Sequence, residues 1–162
     1  MKINVFFSLL FVMIMASCNN DGKNEAKNHF TTWQDPCFDR CASIWLIKQY
    51  VDTTATFNFI EFGEKVTKGI PFDVPGAELG RQKNICCFES VIQKYQLDDP
   101  SFLQMSKVIH DIDVNKWGIK VTMDADSLQT LFNTLKENAS TDQELLKLTE
   151  EVFVNMYNNY GE

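Results

Sequence analysis

The sequence predicts a mostly helical α+β fold, a single domain with about five helices and a small two-stranded sheet. Apolar residues recur with helical spacing in several segments, and three of these segments begin with residues that cap helices. Two other short segments have the alternation or the edge proline that is typical of strands. The folded domain is expected over residues 30–162, which is long enough to enclose one hydrophobic core.

The first half of the predicted domain contains one helix and both strands. A wide apolar stripe in CASIWLIKQYV, residues 41–51, predicts the helix. Residues 56–62 alternate between the two faces of a strand, and residues 70–74 form the second candidate, where Pro71 indicates an edge position. The proline and glycines of PGAELG, residues 75–80, then predict a turn or loop.

The second half of the predicted domain is helical. Residues 88–95 are expected to form a short helix. Asp99 followed by Pro100 predicts the start of the next helix, over residues 101–112. Proline is favourable at the first helical position because the N–H that it lacks would have no partner within the helix.

Capping residues also mark the last two helices. Asp126 with Gln129 three residues later predicts a helix over residues 127–137. Thr141 with Glu144 has the spacing of a capping box at the start of the final helix. The apolar stripe of that final helix is predicted to be Leu145, Leu148, Val152 and Met156.

The first residues predict export. Lys2 precedes an apolar run, residues 5–16, that is short for a membrane span and leads into MASC. MASC resembles the bacterial lipobox, so residues 1–17 are expected to be a lipoprotein signal peptide and Cys18 to carry lipid. Residues 18–29 are polar and predict a flexible tether. The expected location is the bacterial cell envelope, on the extracytoplasmic side of either membrane; the alternatives are an ordinary secretory signal or an uncleaved anchor.

The net charge disfavours two classes of partner. The chain has 15 lysines and arginines against 22 aspartates and glutamates, a formal charge of −7. Loss of Lys2 with the signal peptide would leave 14 basic residues and a charge of −8. Nucleic-acid binding and polybasic attachment to anionic lipids both require clustered basic residues, so neither is expected. The expected partners are the membrane, through the lipid on Cys18, and a small anion or metal ion.

Four phrases between Phe38 and Asp113 carry a family resemblance. They are, in order, FDRCASIWLIKQYVD, IPFDVPGAEL, CCFESVIQKYQLDDP and KVIHDID. In this order they resemble the chromate-resistance exported protein family, the ChrB-type domain. The resemblance implies a role in stress caused by chromate or another metal oxyanion. Two positions depart from the family pattern, because Arg81 stands where a histidine is usual and an expected aspartate is replaced near Val154.

A metal site is one hypothesis for the chemistry of this chain. His110 and Asp113 are three residues apart on a predicted helix and therefore share a face. With Glu78 and Cys86 from the preceding segment they would form a ligand set for Zn, Mn or Fe. The alternative is a surface histidine near the end of a helix, where the helix dipole favours its charge. Arg81 in place of the family's histidine weighs against the metal.

Four cysteines follow Cys18. In an oxidising compartment an even number of cysteines usually forms disulfides. One bond is expected between the segment containing Cys37 and Cys41 and either Cys86 or Cys87, and a redox centre is the alternative. The resemblance assigns Cys86 to the usual cysteine position of the family.

Asp39 and Arg40 lie together at the start of the first predicted helix. Asp39 is a candidate N-cap, whereas Arg40 gains nothing from the helix dipole and needs a negative partner. That partner is expected to be an internal carboxylate, Glu78 or Asp113, or else an oxyanion held with the help of Arg81. The hypothesis is that one pocket near this helix start brings together Asp39, Arg40, Glu78, Cys86, His110 and Asp113.

Three functions are compatible with these patterns. The preferred one is a lipid-anchored domain that binds or senses an oxyanion or a metal ion without turnover. The second is a metal- or thiol-dependent enzyme of redox or oxyanion detoxification, although the sequence contains no nucleophile–histidine motif, phosphate loop or complete metal motif. The third is a scaffold whose site has decayed, which would account for Arg81 and Val154.

Overall fold

The computed structural model describes residues 29–161, so the predicted signal peptide, Cys18 and the tether up to residue 28 lie outside the described residues. The predicted fold class is confirmed, with one difference: the sheet has three strands instead of two. In chain order the elements are β1 (His29–Trp33), α1 (Phe38–Leu46), β2 (Thr56–Ile60), β3 (Ile70–Pro71), α2 (Cys87–Tyr95), α3 (Pro100–Asp113), α4 (Ala125–Asn138) and α5 (Asp142–Tyr160). A π-helical turn, Ile47–Val51, extends α1.

The strand that the sequence did not predict is the central one. β1 pairs in parallel with β2 on one side and with β3 on the other, in the order β2-β1-β3. It begins at His29, inside the expected tether, where His29 Nδ1 lies 2.8 Å from Thr56 Oγ1. Thr31 and Thr32 are both buried, since a central strand is covered on both faces. β3 is an edge strand, as Pro71 indicated.

The helices enclose an aromatic core that begins with α1. This helix starts at Phe38, three residues earlier than expected, and all but one of its residues are buried. The ring of Phe38 meets Phe132 of α4 and Phe153 of α5 edge-on, at centroid distances of 5.5 and 5.3 Å. Edge-on contacts of this kind add about 0.5–1.5 kcal/mol to the burial of the rings. The start of α1 is therefore fixed by packing from the far end of the chain.

Two of the three predicted helix caps are formed. The Asp99 carboxylate accepts the Ser101 N–H at 2.8 Å, and Thr141 Oγ1 accepts the Glu144 N–H at 3.1 Å. The Glu144 carboxylate bonds Ser140, outside the helix, and does not complete a reciprocal box. The prediction for α4 was late, because this helix begins at Ala125 and Asp126 lies within its first turn.

The apolar stripe of α5 is only partly buried. Leu145 and Met156 belong to the core as predicted, but Leu148 is 37% exposed and Val152 is half-buried. Both line an apolar groove of about 520 Å³ between α4 and α5. Over the described chain, from residue 29 to 161, no helix is both long and apolar enough to cross a membrane.

Candidate functional site

A polar cleft of about 460 Å³ lies where β1 and β3 end and α1 begins. Its charged lining residues are Asp39, Arg40, Asp73, Arg81, Lys83 and Asp113. A smaller adjoining cavity of about 160 Å³ shares Asp39 and Asp113 with it and adds Lys116 and Lys136. The cleft thus brings together three of the six residues predicted to converge, and it also includes Arg81.

Arg40 is held by an internal ion pair. Its Nε donates to Asp73 Oδ2 at 2.7 Å, and its Nη2 donates to the Asp73 backbone carbonyl at 3.1 Å. Nη1 donates to the carbonyl of Trp33 at 2.9 Å. The expected partner was Glu78 or Asp113, so the kind of partner was right and the residue was wrong. Through these bonds one guanidinium group joins α1 to the ends of β1 and β3.

Asp73 could be recognised only from its three-dimensional surroundings. Its backbone is in the left-handed region, with φ of 47°, and its N–H donates to the Leu79 carbonyl at 2.8 Å. This conformation turns the chain back and directs the carboxylate toward Arg40. Asp73 Oδ1 also accepts the Arg81 N–H at 3.3 Å. The single signal in the sequence is an aspartate beside the turn residues of DVPG, a common arrangement in loops.

Asp39 caps a helix, but not the helix that was expected. Cys37 occupies the N-cap position of α1, and the Asp39 carboxylate accepts the N–H groups of Cys87 and Phe88, each at 2.8 Å. These are the first two residues of α2, so Asp39 satisfies two donors that the helix leaves unpaired. Burial raises the pKa of Asp39 to about 7, the negative charges of Asp73 and Asp113 add to the rise, and the two backbone bonds oppose it.

Asp113 and Arg81 form the second ion pair of the cleft. Arg81 Nη1 lies 3.1 Å from Asp113 Oδ2, but the contact lacks hydrogen-bond geometry, so this buried oxygen has no hydrogen-bond partner. Burial raises the pKa of Asp113 and the charge of Arg81 opposes the rise. The Arg81 side chain is 50% exposed. Arg81 is therefore a half-exposed cation at the mouth, whereas the Arg40 side chain is only 11% exposed.

The predicted metal ligands do not meet. The exposed Glu78 carboxylate pairs with Lys94, while Cys86 is buried at the N-cap of α2. His110 Nδ1 lies 3.0 Å from Glu89 Oε2, which also accepts the Cys86 N–H. Among residues 29–161 no three histidine, cysteine, aspartate or glutamate side chains are arranged to hold a metal ion. The ligand set Glu78, Cys86, His110 and Asp113 is therefore wrong. The two acids pair with cations, whereas the Cys86 N–H and the His110 ring both contact Glu89.

The disulfide prediction is also wrong. Cys37, Cys41, Cys86 and Cys87 are free thiols. The Cys41 thiol interacts with the Thr149 side chain of α5, and the Cys87 thiol interacts with Ser43, so these two sulfurs point at different neighbours. Loss of solvation, together with the charges of Asp39 and Asp73, raises the pKa of Cys37 to about 12, and burial raises the pKa of the other three.

Alkylation should distinguish free thiols from a disulfide. In the native protein we expect slow labelling of Cys41, Cys86 and Cys87, which are at most 1% exposed. Unfolding in urea without a reductant should release all four thiols, and peptide mass spectrometry would count them. A peptide pair linked through Cys86 or Cys87 before reduction would contradict this expectation.

Comparison with known proteins identifies the family. The model of the ChrB C-terminal domain matches residues 30–160. The chain belongs to this family. The ChrB-type resemblance is thereby confirmed, and it continues past Asp113 through α4 and α5.

A relative of this ChrB-type domain is a longer protein. Protein ChrB of Cupriavidus metallidurans is 26% identical over 134 residues, which make up 82% of this chain and 40% of that protein. The chain therefore spans about two fifths of the length of that relative. No solved structure matches the chain.

Proposed function

We propose that this ChrB-type domain binds a small oxyanion in the polar cleft, in a role related to chromate resistance. The observation that carries the proposal is local charge. The cleft and its adjoining cavity are lined by three carboxyls, Asp39, Asp73 and Asp113, and by five cations, Arg40, Arg81, Lys83, Lys116 and Lys136. The chain as a whole has a formal charge of −7, so this region is positive on an acidic protein.

The cations at the mouth are the groups available to an anion. Arg40 directs its donors inward, to Asp73 and Trp33, and Lys136 lies 2.7 Å from Asp35. Arg81, Lys83 and Lys116 are exposed. A guanidinium group offers two parallel N–H donors, which suit two oxygens of a tetrahedral oxyanion. We therefore assign the principal contact to Arg81 and supporting charge to the two lysines.

We expect anion binding to be coupled to protonation of Asp39. Asp39 lines both cavities and its pKa is raised to about 7, chiefly by burial. A bound anion would raise this pKa further, because a nearby negative charge favours the neutral carboxyl. Binding should consequently weaken as pH rises through about 7. Sulfate is the suitable probe for this effect, since it stays dianionic over the whole range.

Calorimetric titration with sulfate, molybdate and chromate would test the site. Arg81→Ala should weaken binding about tenfold or more, because a hydrogen bond to a charged group contributes about 1.5–3 kcal/mol. The matched control is Lys147→Ala, which removes an exposed cation from α5, away from the cleft. The proposal would be refuted if the wild-type protein gave no heat of binding, as expected for a scaffold whose site has decayed. It would also be refuted if both substitutions weakened anion binding equally.

An enzymatic role has less support. A thiol-dependent mechanism requires a thiolate, whereas burial raises the pKa of all four cysteines. A metal-dependent mechanism would need ligands from outside residues 29–161, because the described part of the chain lacks a suitable cluster. Binding without turnover is the function that the cleft favours.

The proposal includes a lipid anchor at Cys18 and an extracytoplasmic location, for which the MASC sequence is the support. Cys18→Ala should leave an uncleaved precursor and remove lipid labelling. Metabolic labelling with a fatty acid, followed by electrophoresis, would check both effects. A variant that is processed and labelled like the wild type would exclude the anchor.

A further inference from the structure

The loop between α3 and α4, residues 114–124, exposes large apolar side chains. Trp117 is 93% exposed, Ile119 90%, Val121 80% and Met123 98%. Single exposed apolar residues are ordinary, but four at alternate positions of one loop form a patch, and such patches mark interaction sites. We call residues 114–124 the presenting loop.

The presenting loop is bonded to a buried carboxylate, that of Asp111. Asp111 is 1% exposed. Its Oδ2 accepts the N–H groups of Val121 and Thr122, each at 2.7 Å, and the Thr122 hydroxyl at 2.8 Å. Its Oδ1 accepts Asn115 Nδ2 at 3.1 Å. Two backbone N–H groups of the loop are thus turned inward, and the four apolar side chains remain exposed.

The composition of the presenting loop fits a phospholipid interface. The presenting loop contains Lys116 and Lys120, and its one acidic residue is Asp124 at its end, whose carboxylate accepts the Tyr160 hydroxyl at 2.7 Å. The chain as a whole has 22 aspartates and glutamates. Lys116 Nζ lies 5.6 Å from the centre of the Trp117 ring. Tryptophan favours the boundary between headgroups and acyl chains, and an adjacent lysine can meet the headgroup phosphates.

The chain that precedes the described residues would hold this loop within reach of a bilayer. Cys18 lies eleven residues before His29, and an extended chain of that length spans up to about 36–40 Å. A compact domain of this size is about 36 Å across, so the extended tether is as long as the domain is wide and leaves it free to tilt toward the membrane. This step rests on the lipid anchor of the proposed function.

We propose that the presenting loop is a second membrane contact, in which Trp117, Ile119, Val121 and Met123 enter the interface of a phospholipid bilayer. Lys116 both begins the patch and lines the small cavity beside the polar cleft. Insertion of the loop would therefore orient the domain with its oxyanion cleft close to the membrane surface. The acyl chains on Cys18 supply attachment, and the loop supplies orientation.

Tryptophan fluorescence can test the contact. The acylated full-length protein would be reconstituted in vesicles of phosphatidylethanolamine and phosphatidylglycerol, with and without brominated phosphatidylcholine, which quenches nearby tryptophan. Wild-type emission should fall by about a third, because one of three tryptophans reaches the interface. Trp117→Phe should show no fall. Leu103→Ala, which removes an exposed leucine of α3, is the matched control and should behave as wild type.

The outcomes distinguish failure of the loop proposal from failure of the lipid-anchor proposal. Protein that floats with the vesicles but is not quenched overturns the loop proposal and leaves the anchor intact. Protein that does not float contradicts both. A blue shift of Trp117 emission that follows protein concentration without vesicles would assign the patch to a second copy of the chain and overturn the proposal.

Discussion

Replacement of Arg40 by methionine should lower the free energy of unfolding by about 3–5 kcal/mol, the usual cost of removing one partner from a buried ion pair. Asp73 is 8% exposed and Arg40 11%, so little water can replace the lost donor. The substitution would also leave the carbonyls of Trp33 and Asp73 without the guanidinium. Urea unfolding followed by circular dichroism would measure the loss.

Two controls make the Arg40 result specific. Arg81→Met removes the other ion pair of the cleft, whose cation is 50% exposed and can be replaced by water, and should cost about 1 kcal/mol or less. Adding Asp73→Leu to Arg40→Met should recover part of the stability, because the unpaired charge is then gone. A loss below about 1 kcal/mol for Arg40→Met would show that Asp73 does not depend on this partner.

Asp39→Asn should change how stability depends on pH. The Asp39 pKa is about 7 in the folded chain and 3.8 in its unperturbed state, so between these values the folded protein holds a proton that the unfolded chain has lost. The wild-type free energy of unfolding should therefore fall as pH rises from about 4 to about 7. Asp39→Asn should remove the contribution of Asp39 and leave the part of the slope that comes from the raised pKa of Asp113, and urea titrations at several pH values would show the decrease.

The same substitution should also weaken the start of α2. At pH 5 the folded Asp39 carboxyl is protonated, and both of its oxygens can still accept a hydrogen bond. An amide nitrogen cannot, so the N–H of Cys87 or Phe88 would lose its partner, at a cost of about 1–3 kcal/mol. Asp98→Asn, which changes an exposed neighbour of α3, is the control and should leave both stability and slope unchanged. Persistence of the full slope in Asp39→Asn would assign it to another group.

The sequence predicted the elements whose signals are local. Asp99 and Thr141 cap helices that start within three residues of them, so spacing alone was sufficient. β1 was missed because HFTTW has neither a long apolar run nor apolar–polar alternation. Its threonines are buried because strands from later in the chain lie on both sides, and no local pattern records that.

The sequence predicted which polar residues form the site but not which residues pair with one another. Sequence spacing identified Asp39, Arg40, Arg81 and Asp113 as polar residues that need partners, and all four line one cleft. It failed for Asp39 because the helix that Asp39 caps starts 48 residues later. The metal and disulfide predictions rested on residue types and local spacing, and neither shows which sulfur or carboxylate faces which neighbour.

The position of β1 has a consequence for how the chain is made. The central strand β1 is synthesised before both of the strands that pair with it. The Phe38 ring likewise gains its contact with Phe153 only after α5, near the opposite end of the chain, has been made. Contacts so distant in sequence delay folding until synthesis is nearly finished. A chain threaded through a translocation pore amino terminus first would therefore remain unfolded during passage, and a premature stop before α5 would leave an open aromatic surface for proteases and chaperones.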